Sequence, residues 1–214
     1  MKKLKIKKKY IFLGEIDSIN IELIIKSFNF LKSKVNYILI CNKEDLIKSI
    51  FFKRSNLKIN EILNPLNFNN YKKDKLNIFN IEDISDKKHI NLLNQIKISN
   101  HIANSTKYDL VTMPINKFVF KKKIKFIGMT EYLGNLNQSP TLMLMYGEKF
   151  SIIPMTTHIN LKNISKYINS KFINNFLKNL LNNIKKPKYS LNFKYIKFLC
   201  YNPHCGEEGT LGDE

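Results

Sequence analysis

Short apolar runs alternate with segments of helical periodicity along the first part of the chain. The runs Tyr10–Gly14 and Val35–Cys41 have the length and the β-branched and aromatic content of buried strands. Between them, Ile19–Ser33 carries apolar residues near the spacing of one helix face. The pattern therefore predicts a strand, a helix and a second strand, in that order.

Helical spacing recurs three more times further along the chain. The additional predicted helices are Lys43–Phe52, Lys87–Asn104 and Leu161–Ile184. The last of these is expected to break near Ser170. Each predicted helix is flanked by segments of strand-like or loop-like composition.

The remaining apolar segments complete an alternating order of strands and helices. Strands are predicted at Tyr108–Pro114, as a pair around a Gly-Glu turn in Thr141–His158, and at Tyr195–His204. The Asn- and Lys-rich region Leu57–Asp83 predicts loops with one or two short strands. Alternation of this kind predicts an α/β/α sandwich with a largely parallel or mixed sheet. Because no repeat and no clear linker interrupts the order, residues 1–214 are expected to form one α/β region.

The charge of the chain changes this picture less than its size suggests. The formal net charge is +19, and Arg54 is the single arginine among 36 basic residues. Lys, Ile and Asn together make up 95 of the 214 residues, which is typical of an A/T-rich genome. Nucleic-acid-binding proteins usually keep Arg, whose planar guanidinium contacts phosphate and guanine. The dispersed lysines therefore favour a solvated surface, with a true polyanion-binding surface as the alternative.

The lack of a recognisable targeting signal and the pattern of cysteines predict a cytoplasmic protein. No run approaches the length of a transmembrane helix. The basic N-terminus has a short apolar part and no small-residue cleavage site, which argues against a signal peptide. The cysteines Cys41, Cys200 and Cys205 form no CxxC pair, and an odd, scattered count is typical of a reducing compartment.

Candidate chemistry follows the ends of the predicted strands, where sites gather in α/β sheets. The four segments there are LGEIDSINIE, VTMPINK, PMTTH and YNPHCGEEG. His158 and His204 each follow a predicted strand, and two imidazoles could bind a divalent metal. The alternative is that each is a loop histidine bonded to backbone or water. Lys117, after a strand, could hold a phosphate or a carboxylate, but it is one of 35 lysines.

The other histidines and the end of the chain offer weaker candidates. His89 and His101 lie on one predicted helix and are interpreted as surface residues. The glycines of GEEGTLGDE are typical of a loop that wraps a ligand closely, although composition by itself slightly favours a flexible acidic tail. Cys205 adjoins His204, but neighbouring loop residues usually point apart, so a thiol nucleophile activated as a Cys–His pair is not expected.

Five segments in order resemble the motifs of the 4-hydroxythreonine-4-phosphate dehydrogenase (PdxA) family. They are GEIDSINIE, LVTMPINK, IGMTEYLGNL, the stretch LMLMYGEKFSIIPMTTHINLKNISKYI, and NPHCGEEGTLGDE. The resemblance covers nearly the whole chain. It implies the α/β/α sandwich of the isocitrate/isopropylmalate dehydrogenase-like fold.

The resemblance also implies an activity. Members of the family oxidise the secondary alcohol of 4-phosphohydroxy-L-threonine with NAD or NADP during pyridoxal 5'-phosphate (vitamin B6) biosynthesis, and the β-keto acid then loses carbon dioxide. A divalent metal (Zn, Co or Mg) polarises the substrate oxygen. The implied assembly is a homodimer with the site at its interface, and no nucleic-acid or membrane partner is expected.

Residue roles carry over only where the motifs match. His158 and His204 match two of three metal-binding histidines, and Lys117, Met129 and Thr130 fall at substrate-binding positions. Met129 stands where the family has a histidine, and a thioether cannot donate the imidazole's hydrogen bond. No catalytic or cofactor-binding residue is assigned. Further departures from the motifs occur at Met113, Ser18, Asn20 and Ile21.

The third metal-binding histidine of the family has no counterpart in this sequence. Family members are longer, so the C-terminal third is expected to be absent here. The first hypothesis is therefore a dehydrogenase that works only with its missing part supplied. The alternative is a truncated, catalytically inactive remnant or a repurposed basic binding protein.

Overall fold

The computed structural model describes residues 7–121, 123–124, 126–186 and 193–212. The chain divides into two compact units, Met1–Phe126 and Ile127–Glu214. The expectation of one α/β region over residues 1–214 stays a prediction. No helix in the described ranges is long and apolar enough to cross a bilayer.

A sheet of five parallel strands forms the centre of the first unit. The strands are β1 (Lys7–Phe12), β2 (Val35–Cys41), β3 (Ile59–Glu61), β4 (Leu76–Asn80) and β5 (Asp109–Thr112). Their order across the sheet is β3-β4-β2-β1-β5, with β1 paired to β2 and to β5. Parallel neighbours need crossover connections. The loops that follow β1, β2, β4 and β5 therefore all leave the same edge of the sheet.

The crossovers of the first unit are helical. The helices are α1 (Asn20–Lys34), α2 (Lys43–Lys48), α3 (Ile50–Lys53) and α4 (Lys88–Thr106). The single helix predicted at Lys43–Phe52 is wrong, because Ser49 adopts an extended conformation and its hydroxyl accepts the N–H of Phe51. Ser49 thus ends one short helix and caps the next, as serine commonly does.

Helices cover both faces of the sheet, which confirms the three-layer prediction for this unit. Side chains alternate along β1, so Ile11 packs with Ile24 and Phe28 of α1, and Tyr10 packs on the opposite face with Ile102 of α4. The same alternation along β2 leaves its strand buried on both sides. Burial of each such side chain contributes about 1.5–3 kcal/mol. A nearly continuous apolar strand is the expected sequence for this position.

The second unit contains helices without a described sheet. Its helices are α5 (Met129–Leu136), α6 (Ile164–Tyr167) and α7 (Ser170–Ile184), with 3₁₀ turns at Leu161–Asn163 and Pro203–Gly206. The helical stretch predicted at Leu161–Ile184 does break just before Ser170. The side chain of Asn169 accepts the N–H of Phe172 and caps α7.

The strands predicted in the second unit are wrong. Within Thr141–His158 the described structure forms an isolated antiparallel bridge, in which Met145 and Ile152 exchange backbone hydrogen bonds of 2.9 Å. Over Tyr195–His204 no strand forms, and Leu199 is 94% exposed. An apolar run becomes a strand only where a neighbour accepts its backbone hydrogen bonds. Within the described ranges, neither segment pairs with a separate neighbouring strand.

Candidate functional site

The loops that follow β1 and β5 are joined at the carboxyl edge of the sheet. Gly14 has a φ of +74°, and a Cβ built there would lie 2.6 Å from the carbonyl oxygen of Pro114. Only glycine fits both the conformation and the space. The side-chain amide of the fully buried Asn20 donates to the carbonyl oxygens of Leu13 (2.8 Å) and Pro114 (2.7 Å). The GEIDSINIE and VTMPINK segments are therefore packed together at the sheet edge where strand ends were predicted to gather candidate chemistry, and the structure adds that their strands are neighbours.

A buried carboxylate strengthens this junction. Glu15 is 5% exposed, and it accepts the backbone N–H of Asn116 at 2.8 Å and the ammonium of Lys88 at 2.6 Å. Lys88 also donates to Asp17 at 2.7 Å. Desolvation opposes the charged form of Lys88, but the hydrogen bonds to Asp17 and Glu15 outweigh it and raise the pKa of Lys88. The charge of Glu15 is thus paired and hydrogen-bonded, which offsets the free-energy cost of burying it.

Lys117 directly follows Asn116, whose backbone N–H donates to the Glu15 carboxylate. It begins the 3₁₀ turn Lys117–Phe120, which the side chain of Asn116 caps by accepting the N–H of Phe118 at 3.0 Å. Lys117 is exposed and borders a hollow of about 240 Å³, together with Phe118 and Lys121. The ammonium groups of Lys117 and Lys121, beside aromatic side chains, have the charge and hydrogen-bond donors that an anionic ligand needs.

A larger cleft of about 690 Å³ opens at the same edge of the sheet. It lies among the loops that follow β1, β2 and β4 and the start of α4, and its acidic lining residues are Asp17, Asp45, Asp83 and Asp86. Burial, followed by the charge of Asp83, raises the pKa of Asp45. This cleft was not predicted from the sequence, although the ends of β2 and β4 indicate it by the same strand-end rule.

Two segments of the second unit also meet. Met129 and Thr130 are the first residues of α5, with Gly128 as the residue before the helix. A Cβ built on Gly128 would lie 3.1 Å from Nε2 of His158. The missing side chain therefore lets the imidazole approach the start of α5, where free backbone N–H groups carry partial positive charge.

Glu131 connects the same two segments through its side chain. Its Oε1 accepts the hydroxyl of Thr157 at 2.8 Å and lies 3.8 Å from Nε2 of His158. The sequence motifs containing Met129 and His158 are thus brought together in the structure. Glu131 lies in the IGMTEYLGNL segment, and its role as the connection was not predicted from the sequence.

Both histidines predicted to bind metal have a left-handed backbone. φ is +55° at His158 and +49° at His204, a conformation that costs about 1–3 kcal/mol outside glycine and that clusters at functional sites. His204 lies in the 3₁₀ turn Pro203–Gly206, and its Nε2 is 3.9 Å from Oε1 of Glu207. Each imidazole therefore has a carboxylate nearby, as metal-binding histidines commonly do.

The donor set fits a divalent metal in part. Imidazole is the commonest protein ligand for such ions. However, over the described ranges no group of three or more His, Cys, Asp or Glu side chains is placed to hold a metal. That His158 and His204 bind one ion together stays a prediction.

The two histidines of α4 differ from one another. His101 is exposed, as predicted. His89 is only partly exposed, and its Nδ1 is buried without a hydrogen-bond partner among the described residues. Burial, followed by the charges of Lys123 and Lys87, lowers the pKa of His89. The interpretation of His89 as an ordinary surface residue is therefore wrong in one respect, because its Nδ1 atom is buried.

Comparison with known families identifies the chain. The family model described as "Pyridoxal phosphate biosynthetic protein PdxA" matches residues 33–214. The chain belongs to the PdxA family. This confirms the resemblance seen in the five motifs.

PdxA relatives match along most of this chain. The 4-hydroxythreonine-4-phosphate dehydrogenase of Aquifex aeolicus is 30% identical over 219 residues, which cover 97% of this chain and 67% of the relative. That of Hydrogenobaculum sp. is 40% identical over 107 residues, covering 49% of this chain and 34% of the relative. The chain thus spans about two thirds of the length of relatives that match it throughout, such as that of Sulfurihydrogenibium sp., of which 66% is covered.

Solved PdxA structures share the fold. The 4-hydroxythreonine-4-phosphate dehydrogenase from Klebsiella pneumoniae superposes with a TM-score of 0.77 at 21% identity, covering 97% of this chain and 67% of that chain. The enzyme from Burkholderia phymatum gives a TM-score of 0.74 at 19% identity, covering 98% and 67%. At these identities the likeness concerns the fold alone.

Proposed function

We propose that this PdxA-family chain takes part in the NAD(P)-dependent oxidation of 4-phosphohydroxy-L-threonine in pyridoxal 5'-phosphate biosynthesis. The observation that carries the proposal is the junction in which Glu131 connects the start of α5 to Thr157 and His158. Its support outside the structure is the family match and the dehydrogenase names of the relatives. We place the protein in the cytoplasm and extend its fold assignment to the isocitrate/isopropylmalate dehydrogenase-like group.

The start of α5 suits the anionic part of such a substrate. Backbone N–H groups at a helix N-terminus favour phosphate and carboxylate groups, and the Thr130 hydroxyl adds a donor there. Met129 adds no donor at this place. We therefore propose Thr130 as a substrate-binding residue and Met129 as a substrate contact without polar character. Lys117 is proposed to bind substrate on the resemblance of its LVTMPINK segment alone.

We propose His158 and His204 as two ligands of a divalent metal, Zn, Co or Mg. The chemistry that the metal supplies when bound is polarisation of the substrate oxygen. Oε1 of Glu131 lies 3.8 Å from Nε2 of His158, and a carboxylate beside a metal-binding imidazole commonly orients its ring. Because the described ranges bring no third ligand together, the remaining ligand is proposed to come from the part of the family's length that this chain does not span, at the interface of a homodimer.

Hydride transfer from a carbon to nicotinamide needs both held at close range. Within this chain the residues that we can name bind and orient: Thr130 and the start of α5 at the anionic groups, and Glu131 at the ring of His158. The second candidate function is a catalytically inactive binding protein with a basic surface. Met129, in place of an imidazole donor, favours it.

One set of measurements separates the two functions. Zn²⁺ and substrate binding are measured by titration calorimetry on the 214-residue chain, on His158→Ala, and on His101→Ala as a matched control from an exposed helical position. The dehydrogenase proposal expects metal and substrate binding that is lost in His158→Ala and kept in His101→Ala.

Equal binding by all three proteins would overturn the assignment of the site. Binding of a DNA duplex that falls steeply between roughly 50 and 200 mM salt is expected of dispersed lysines alone. DNA binding that persists over that range, without substrate binding, would support the basic binding protein instead.

A further inference from the structure

Two exposed cysteines lie against each other in the second unit. Sγ of Cys200 and Sγ of Cys205 are 2.6 Å apart, and both thiols are free. A disulfide bond is about 2.03–2.05 Å long. The separation is longer than a bond, so the two thiols are in direct contact and unbonded. Cys41, in contrast, is buried in the sheet core.

The backbone, rather than the thiols, brings the two cysteines together. The chain turns back at Pro203–Gly206, where Cys205 has a φ of +56°. The turn is held by the N–H of Glu207, which donates to the His204 carbonyl, and by the N–H of Leu211, which donates to the Gly206 carbonyl. Replacing either thiol should therefore leave the turn in place.

We propose that Cys200 and Cys205 are a redox-modification site that forms a reversible disulfide across His204. The oxidant is a small-molecule disulfide of the glutathione class. One cysteine thiolate attacks that disulfide and releases one small thiol, which leaves a mixed disulfide on the protein. The second cysteine thiolate then attacks the mixed disulfide and releases the second small thiol. The protein loses two electrons and two protons, and the small disulfide is reduced to two thiols.

The consequence concerns the loop between the two cysteines. The new ring would enclose the four residues Tyr201–His204, so oxidation would fix the position of His204 relative to Cys200. A disulfide that closes so short a loop constrains the unfolded chain little, so its effect is on this loop rather than on global stability. In a reducing compartment such bonds are usually transient and redox-sensing. The inference stands independently of any metal at His204.

The test is oxidation of the purified 214-residue chain with glutathione disulfide in the presence of a metal chelator. Free thiols are counted by alkylation in denaturant, followed by intact mass and by peptide mapping. The three thiols of the reduced chain should fall to one after oxidation, with the loss of two hydrogen masses and a cross-linked peptide joining Cys200 to Cys205. The reductant dithiothreitol should restore all three thiols.

Single substitutions make the test specific. Cys200→Ser and Cys205→Ser should each lose the internal cross-link and keep a glutathione adduct on the remaining exposed thiol. Cys41→Ser is the matched control and should form the cross-link as the parent does. Peptide mapping of the parent decides the matter even if a variant fails to fold. Glutathione adducts on both exposed cysteines of the parent, a cross-link between chains, or no oxidation at all would overturn the proposal.

Discussion

The carboxylate of Glu15 accepts the backbone N–H of Asn116 across 2.8 Å, and it thereby ties the loop after β1 to the loop after β5. β1 and β5 are neighbours in the sheet, so the tie lies where two strand ends meet. The same carboxylate holds Lys88 at the start of α4. The Glu15 carboxylate thus joins the loop after β1, the loop after β5 and the start of α4 beside Asn116, the residue before Lys117.

Glu15→Gln is expected to lower the free energy of unfolding by about 1–3 kcal/mol, since a buried charge-assisted hydrogen bond is lost while the amide oxygen still accepts the Asn116 N–H. Asp17→Asn is the matched control, because Asp17 binds the same ammonium but is 73% exposed. Its cost should stay below about 1 kcal/mol. Urea unfolding at neutral pH measures both, and equal costs would show that the burial of Glu15 is unimportant.

Asn20→Asp is expected to be more severe than most substitutions on α1. The side chain of Asn20 donates to the carbonyl oxygens of Leu13, Glu15 and Pro114, and a carboxylate offers no donor to them. A buried charge facing carbonyl oxygens should cost on the order of 3 kcal/mol or more. Asn29→Asp, exposed on the same helix, is the control and should cost under about 0.5 kcal/mol. Comparable unfolding midpoints for the two variants would contradict the assigned donor role.

The stability of the first unit should fall at acid pH through His89. Burial lowers the pKa of His89 in the folded state below its unfolded value of about 6.5, so protonation favours unfolding. The penalty is absent above the unfolded pKa and grows as the pH falls through and below it. His89→Gln should therefore lose less stability than the parent between about pH 8 and pH 5. His101→Gln, on the exposed part of α4, should follow the parent; if His89→Gln does so too, this assignment is wrong.

Met129→His is expected to strengthen substrate binding, because an imidazole adds a donor at the start of α5. A hydrogen bond to a charged group contributes about 1.5–3 kcal/mol, so affinity should rise by roughly tenfold or more. Met145→His, at an exposed methionine of the same unit, should leave the affinity unchanged. Calorimetry with 4-phosphohydroxy-L-threonine makes the comparison, and an equal gain in both variants would point to non-specific charge. Turnover of the parent chain should remain at least about 10²-fold below that of a full-length relative, since no group of three metal-ligating side chains forms among the described residues.

The local pattern of apolar residues was enough to predict the elements that are buried in the sheet core or that make their own hydrogen bonds. β2 is apolar except at Asn36 because helices cover both faces of the sheet, and its predicted bounds, Val35–Cys41, match the structure. α1 and α4 were predicted within one or two residues, because a helix makes its hydrogen bonds within its own segment. The family was likewise readable from motif order, as the match over residues 33–214 confirms.

Only the tertiary structure decided which apolar runs became strands and which polar groups met. Thr141–His158 and Tyr195–His204 have strand-like composition, but a strand needs a neighbour, and sequence pattern does not say whether one is present. The approach of Glu15 to Asn116, of Glu131 to His158, and of Cys200 to Cys205 depends on turns with positive φ or on missing side chains at glycines. These contacts join segments through three-dimensional packing, which the period of apolar residues cannot encode.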